Sequence, residues 1–229
     1  MATTKARGRP AHRPRERLTR DRIVEAALRV MDTEGLDAVS MRRVAREVGV
    51  EAMSLYHHVR DKDDLLRAIC DRAMDSFEFP QAAGEWSEQI RAGARAWRRL
   101  LQAHPDLMRL FAMTHGPDPR SAEALEPTEF AMRVIRAAGL SDRDTLQAFH
   151  AFGGYIQGFV MMEGGPIKGT PDHGEAFDAD AIPADAYPVL AAVSRYFAEC
   201  DADEQFEFGL DLMIRGLQAR VAATRGDAG

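Results

Sequence analysis

Arg42 and Arg43 fall in the first turn of a helix opened by Ser40, inside the stretch SMRRVAREVGVEAMSLYHHVRDKDDLL. Cations there oppose the helix dipole at a cost of about 0.3–1 kcal/mol each. An anion lying across the helix start removes the conflict, and a nucleic-acid phosphate has the right charge and reach. A solvated charged face is the plainer alternative. Shortly after, Ala52, Met53, Ser54, Tyr56 and His57 fall on one side of a short helix whose other side carries Val50, Leu55 and Val59. Tyr56, His57 and Lys62 can grip phosphates. Ala52 and Met53 offer base edges only apolar contact, for example to thymine methyls, and Ser54 adds one hydroxyl, so direct readout is modest. Arg43 or Arg46 can add to it.

The elements that must position these groups are well marked. Met41, Val44, Ala45 and Val48 repeat at i, i+3, i+4, i+7, so 40–47 reads as a helix with one apolar face. Gly49 breaks it as a left-handed turn residue, and 51–57 reads as a second short helix. Before them, Thr19 caps a helix over 19–34, with Leu18 and Ile23 placed as a hydrophobic staple. Its apolar face carries Ile23, Ala26, Ala27, Val30 and Met31, and Gly35 followed by Leu36 suits a Schellman end. A fourth helix starts at Asp61, with Asp64 at N3, and runs to Phe77. Two short helices joined at a steep angle by a glycine turn form a shape that fits the DNA major groove.

The segment LTRDRIVEAALRVMDTEGLDAVSMRRVAREVGVEAMSLYHHVRDKDDLLRAI resembles the tetracycline-repressor (TetR) family of bacterial transcription regulators. SLYHHVRDKDDLL is its strongest part and looks like the family's recognition helix running into a linking helix that starts with Lys. A looser resemblance, to the branch containing the tetracycline repressor, continues through WSEQIRAGARAWRRLLQAHPDL and FEFGLDLMIRGLQAR. It implies an all-α chain: a three-helix DNA-binding unit over 19–64 and a helical effector-binding and dimerisation unit over 65–224.

Charge agrees with that division. Through Lys62 the chain holds 14 Lys and Arg against 9 Asp and Glu, a net of +5, whereas the remainder is −11, giving −6 overall. A basic end on an acidic body is the footprint of a protein whose body stays off the DNA. Residues 1–18 are a basic arm rich in Arg and Pro without apolar periodicity, expected to be disordered when free. Arg7 and Arg9, in RGRP, resemble an AT-hook core and suit a minor-groove contact; a solubilising tail is the alternative. No signal peptide and no apolar run of membrane-spanning length is present, so a cytoplasmic location is expected. Cys70 and Cys200 are too few for a disulfide framework and read as buried small hydrophobes.

The body reads as helices over 86–103, 105–113, 127–138, 141–163, 185–198 and 203–223, with a Gly/Pro/Asp-rich loop over 164–183 and a tail over 225–229. Phe149, Phe152, Ile156 and Phe159 share one face of the long helix, interleaved with Gly153, Gly154 and Gly158. Phe206, Leu210, Met213 and Leu217 lie near a heptad seam on the last helix. An ordinary core explains both faces; the resemblance, whose family pairs its eighth and tenth helices into a four-helix bundle, implies instead a homodimer interface. A dimer also places two recognition helices on a palindromic operator.

The resemblance further implies a mostly apolar cavity for a small-molecule effector. Met74, Phe77, Trp97, Leu101 and Met108 fall near it, with Phe111 and Met113. His115, Gln147 and His150 are the nearest polar candidates. Where it places the family's drug and magnesium contacts, this chain has Glu78, Gly93, Trp97, Phe111 and Ala131. The polar contacts are lost, so an apolar, metal-free effector and no cofactor are expected. An enzyme, or a protein-interaction scaffold, with an appended helical module is the alternative. No P-loop, GxSxG, HExxH or CxxC motif supports catalysis, and no catalytic residue is assigned.

Overall fold

The computed structural model describes residues 17–80, 84–114, 122–163, 181–196 and 201–226, and every regular element among them is helical. Arg7, Arg9, His115, Cys200 and most of the 164–183 loop lie outside the described residues.

Helix α1 (Arg20–Glu34) begins where Thr19 caps it, the threonine hydroxyl accepting from the Arg22 N–H at 3.3 Å. Its end differs from expectation. Gly35 sits at φ 87°, ψ 161°, outside the left-handed helical well, and no Schellman pair forms. The chain turns into a short 3₁₀ segment, Leu36–Ala38, that buries Leu36. The Schellman motif belongs to α2 (Met41–Val48) instead. Gly49 lies at φ 76°, ψ 35°; its N–H bonds the Arg46 carbonyl, and the Val50 N–H reaches the Ala45 carbonyl at 2.9 Å. That geometry favours glycine and sets the angle into α3 (Ala52–Leu55).

Helix α3 is shorter than the expected 51–57. The chain after Leu55 tightens into turns, with the His58 and Val59 N–H groups both on the Leu55 carbonyl. Helix α4 (Lys62–Met74) is capped by Asp61, whose carboxylate accepts from the Asp64 N–H at 2.7 Å. It stops short of Phe77: the Ser76 and Phe77 N–H groups bond the Ala73 and Met74 carbonyls, three residues back, and the Ser76 hydroxyl also donates to the Ala73 carbonyl at 2.6 Å. Phe77 is buried nonetheless.

In the body, α5 (Trp86–Ala103) has its expected bounds and α6 (Leu107–Thr114) follows His104-Pro105. Helix α7 (Ala122–Arg136) starts five residues before Pro127, which was expected to open it. The proline is the sixth residue of the helix, past the first turn, so its missing N–H costs the helix one i→i−4 bond. Helix α8 (Asp142–Glu163) opens on Ser141, whose hydroxyl accepts from the Asp144 N–H at 3.1 Å and donates to the Asp144 carboxylate at 2.9 Å. Helix α9 (Pro188–Ser194) is only seven residues long, with Pro188 at its first position as prolines prefer. Helix α10 (Ala202–Gly226) closes the chain.

Helix α1 packs on α2 and α4, α4 on α6 and α7, and α5, α7 and α8 on one another, with α10 against α8. The buried side chains form one continuous core. Phe152, Ile156, Phe206, Leu210 and Leu217 belong to it. All five, expected on faces for a partner chain, are thus buried within this one chain. Phe149, Phe159 and Met213 are half-buried against the same core. Arg98, also buried, lies over the rings of Phe159 and Phe206 at 5.4 and 4.7 Å and pairs with Glu163 and, at 2.7 Å, with Asp203. A buried guanidinium needs such partners, since an unpaired charge there costs several kcal/mol by rough account.

Candidate nucleic-acid interface and effector cavity

The sequence pairs Arg42 with Arg43; the structure separates them. Arg43 Nε lies 3.0 Å from Glu34 and Nη1 2.8 Å from Glu47. Hydrogen bonding to Arg43 holds the Glu34 carboxyl below its ordinary value, and the two acids push the Arg43 guanidinium above its own. The dipole conflict at Arg43 is thus answered inside the chain, and this residue braces α1 to α2. Arg42 is exposed, with no ion pair among the described residues, and Lys62 is likewise exposed at the start of α4.

On α3 and the following turn, Met53 is 71% exposed, Tyr56 and His57 are exposed, and Ala52 and Ser54 are half-buried. Leu55 and Val59 point into the core. The expected inside–outside division therefore holds, and a protruding apolar Met53 sits among polar neighbours.

A clamp invisible in the local pattern sets this turn. Asp64, whose side chain is 11% exposed, receives both Arg20 Nη groups at 3.0 and 3.1 Å and the Arg60 N–H at 2.9 Å. Arg20 Nη1 also donates to the His58 carbonyl at 3.0 Å. Chiefly because of the Arg20 hydrogen bonds, the Asp64 carboxyl falls from 3.8 to about 2. One carboxylate thereby ties α1 to the junction of α3 and α4.

Behind this unit, residues of α4, α5, α7 and α8 line a cavity of about 310 Å³ that is partly open to solvent. Met74, Phe77, Trp97 and His150 line it, as the sequence implies. Other expected residues do not. Leu101 is buried one turn beyond the cavity, Met108 and Phe111 are half-buried with Phe111 stacked on Trp97 at 6.2 Å, and Met113 and Gln147 are exposed. The cavity stops at Trp97 along α5, so α6 packs beyond it. Apart from Ala131, sequence reasoning missed the α7 wall: Pro127, Thr128, Phe130, Val134 and Ile135. Pro127, Phe130, Ala131 and Val134 repeat at i, i+3, i+4, i+7, but periodicity alone does not separate a cavity wall from a packed core. Phe149, Phe152 and Ile156, expected at a partner interface, also line it, with Gly153 and Gln157.

Cys70 is buried, its thiol 3.5 Å from the Thr114 hydroxyl, and burial pushes it up to about 11. It stays a thiol at neutral pH, which argues against redox sensing by Cys70.

Three polar contacts join the turn after α5 and the start of α6 to the DNA-binding unit. The Asp106 carboxylate accepts the Leu36 N–H at 2.7 Å, Arg109 holds Asp37 at 2.6 and 3.0 Å, and His104 Nδ1 lies 2.9 Å from Asp32. All three come from residues 104–109, immediately after α5. Partners about 70 residues apart leave no mark on local sequence pattern.

Two family models match this chain. Bacterial regulatory proteins of the tetR family match residues 23–69, and the tetracyclin repressor-like C-terminal domain matches residues 79–221. The chain belongs to the TetR family. It is a DNA-binding transcriptional regulator of the helix-turn-helix type. Among its relatives is the HTH-type transcriptional repressor DrrR1 of Streptomyces coeruleorubidus, 33% identical over 96% of this chain and 84% of that protein. The TetR-family protein ActR of Streptomyces coelicolor, crystallised with actinorhodin, superposes with a TM-score of 0.73 at 32% identity, over 89% of this chain and 97% of that one. BioQ bound to its double-stranded DNA operator superposes at 0.62 and 28% identity, over 89% and 99%. No helix among the described residues of this TetR-family chain is long and apolar enough to cross a membrane.

Proposed function

We propose that this TetR-family regulator is a homodimeric cytoplasmic repressor, not an enzyme, that binds a palindromic operator and releases it when a small apolar effector fills the cavity. The observation that carries the reading is the polar bridge from residues 104–109 to Leu36, Asp37 and Asp32, which ties the turn after the cavity-lining α5 and the start of α6 to the helix-turn-helix. BioQ with its operator and ActR with actinorhodin support the two halves of the reading by likeness.

On the DNA side, Arg42, Lys62, Tyr56 and His57 hold phosphates, while Met53, with Ala52 and Ser54, meets base edges. Arg7 and Arg9 add a minor-groove contact that supplies affinity through counterion release. Dimerisation uses surfaces that the chain leaves open. Phe208 and Leu212 on α10, with Met161 and Met162 at the end of α8, are exposed. A Cβ added at Gly158 or Gly216 would meet no atom within 4 Å, so these glycines are not needed for packing inside the chain. They suit close approach by a second copy's helices. Two recognition helices about 34–36 Å apart then span one turn of duplex. To empty an occupied operator, effector must prefer the released state by about 10⁴-fold, or about 5.5 kcal/mol.

Selection of bound sequences from random duplexes tests the reading. A two-fold symmetric consensus is expected. An asymmetric consensus, or no retention of any duplex at low salt, overturns it.

A further inference from the structure

The chemistry of the cavity restricts its occupant, and this inference rests on the effector-cavity reading above. Charge comes first. The described lining residues include no Asp, Glu, Lys or Arg. The polar side chains are Gln89, Thr128, His150 and Gln157, and Gln89 already donates through Nε2 to the Gly84 carbonyl at 2.9 Å. A charged guest would shed part of its water there and find no counter-charge, a net cost that an uncharged guest escapes. Of the usual metal donors, the lining offers His150 alone, so a metal-chelated guest would bring its cation to a single protein ligand.

Wall shape is the second restriction. Phe77 and Trp97 lie edge to face at 6.0 Å, and Phe130 meets Phe79 in the same manner at 5.6 Å. Between these rings the walls are short: Gly93 and Ala94 on α5, Ala131 on α7 and Gly153 on α8. Ring edges and faces beside low walls favour a flat aromatic guest, which adds further offset and edge-to-face pairs. Size is the third. A cavity of about 150 Å³ takes one benzene ring, and about 310 Å³ is roughly twice that.

We propose that the cavity takes an uncharged, planar aromatic molecule of two or three fused rings, bound without metal, whose hydroxyl or carbonyl substituents meet Thr128, His150 and Gln157. The rings occupy the space between Phe77, Trp97 and Phe130.

The test is calorimetric titration of the full chain with 2-naphthol, 1-hydroxyanthraquinone, phenol, dodecan-1-ol and naphthalene-2-sulfonate. The first two are expected to bind at least tenfold tighter than the other three. Ala131→Phe, and separately Gly93→Leu, should abolish that binding while operator affinity persists, which shows that both variants fold. If dodecan-1-ol or the sulfonate binds as tightly as 2-naphthol, and Ala131→Phe removes it, the chemical class is overturned and the effector-cavity reading stands. If none of the five binds, or if binding survives both folded variants, the effector-cavity reading falls as well.

Discussion

Replacing Asp64 with Asn perturbs the clamp that seats the recognition turn. The native carboxylate falls from 3.8 to about 2, chiefly through its hydrogen bonds with Arg20. A carboxyl whose folded value is depressed stabilises the fold above its unfolded value, and that contribution fades as pH falls through the folded one. The window here is pH 4 down to 2. Fully shielded, such a shift is worth about 2.4 kcal/mol at pH 7. Arg20 is 45% exposed, and solvent screening lowers the figure to about 1–2 kcal/mol. Urea unfolding of the native chain and Asp64→Asn, at pH 7, 5, 4 and 3, reads it directly. The stability gap should hold constant from pH 7 to 5 and shrink to about half by pH 3. Operator affinity should fall too, because the His58 carbonyl and the Arg60 N–H lose their common anchor. A gap equal at pH 7 and pH 3 would refute the ion-pair account and leave only a packing defect.

Other expectations follow from separate features. Arg42→Ala should weaken binding to all duplexes and lower the slope of log affinity against log salt by about one. Arg43→Ala should instead lower the midpoint of urea unfolding with less effect on that slope; equal slopes would return Arg43 to the phosphate set. Gly209→Ala drives a Cβ into the Tyr155 hydroxyl, which donates to the Phe206 carbonyl at 2.7 Å while its ring stacks on Phe206. Overpacking of this kind costs about 1–3 kcal/mol, and an unchanged melting temperature would show that the ring moves freely. In a Cys200→Ala background, Cys70 should react with a thiol reagent at pH 8 only after denaturant is added; prompt reaction in the native state would contradict its burial.

Local chemistry was legible where one residue decides it. Thr19, Ser40, Asp61 and Ser141 were each read as helix starts, and each side chain does accept from a backbone N–H of the following turn. Gly49 was legible as a left-handed turn. Gly35 was not, since its backbone depends on where Leu36 must go, and Asp106 is part of that answer. Apolar faces were legible on α8 and α10, but which chain covers them was not. Phe152 and Phe206 look like interface residues by spacing, yet pack against their own chain, whereas the exposed Phe208 and Leu212 attract no notice in the pattern. Half of the cavity was hidden for a related reason: a side chain beside empty space and one against a neighbour carry the same periodicity. The Arg20–Asp64 clamp is absent from any local reading because its partners stand 44 residues apart.

The bridge from residues 104–109 to α1 and the 3₁₀ segment uses none of the side chains that face the cavity. Substitutions on α7 and α8 can therefore retune which compound is sensed without touching the joint that holds the reading head. A lineage of such regulators is free to exchange chemical signals while its operator stays the same. Loss of the Asp106 carboxylate, by contrast, frees the Leu36 N–H and loosens that joint while leaving every cavity-lining side chain as it is.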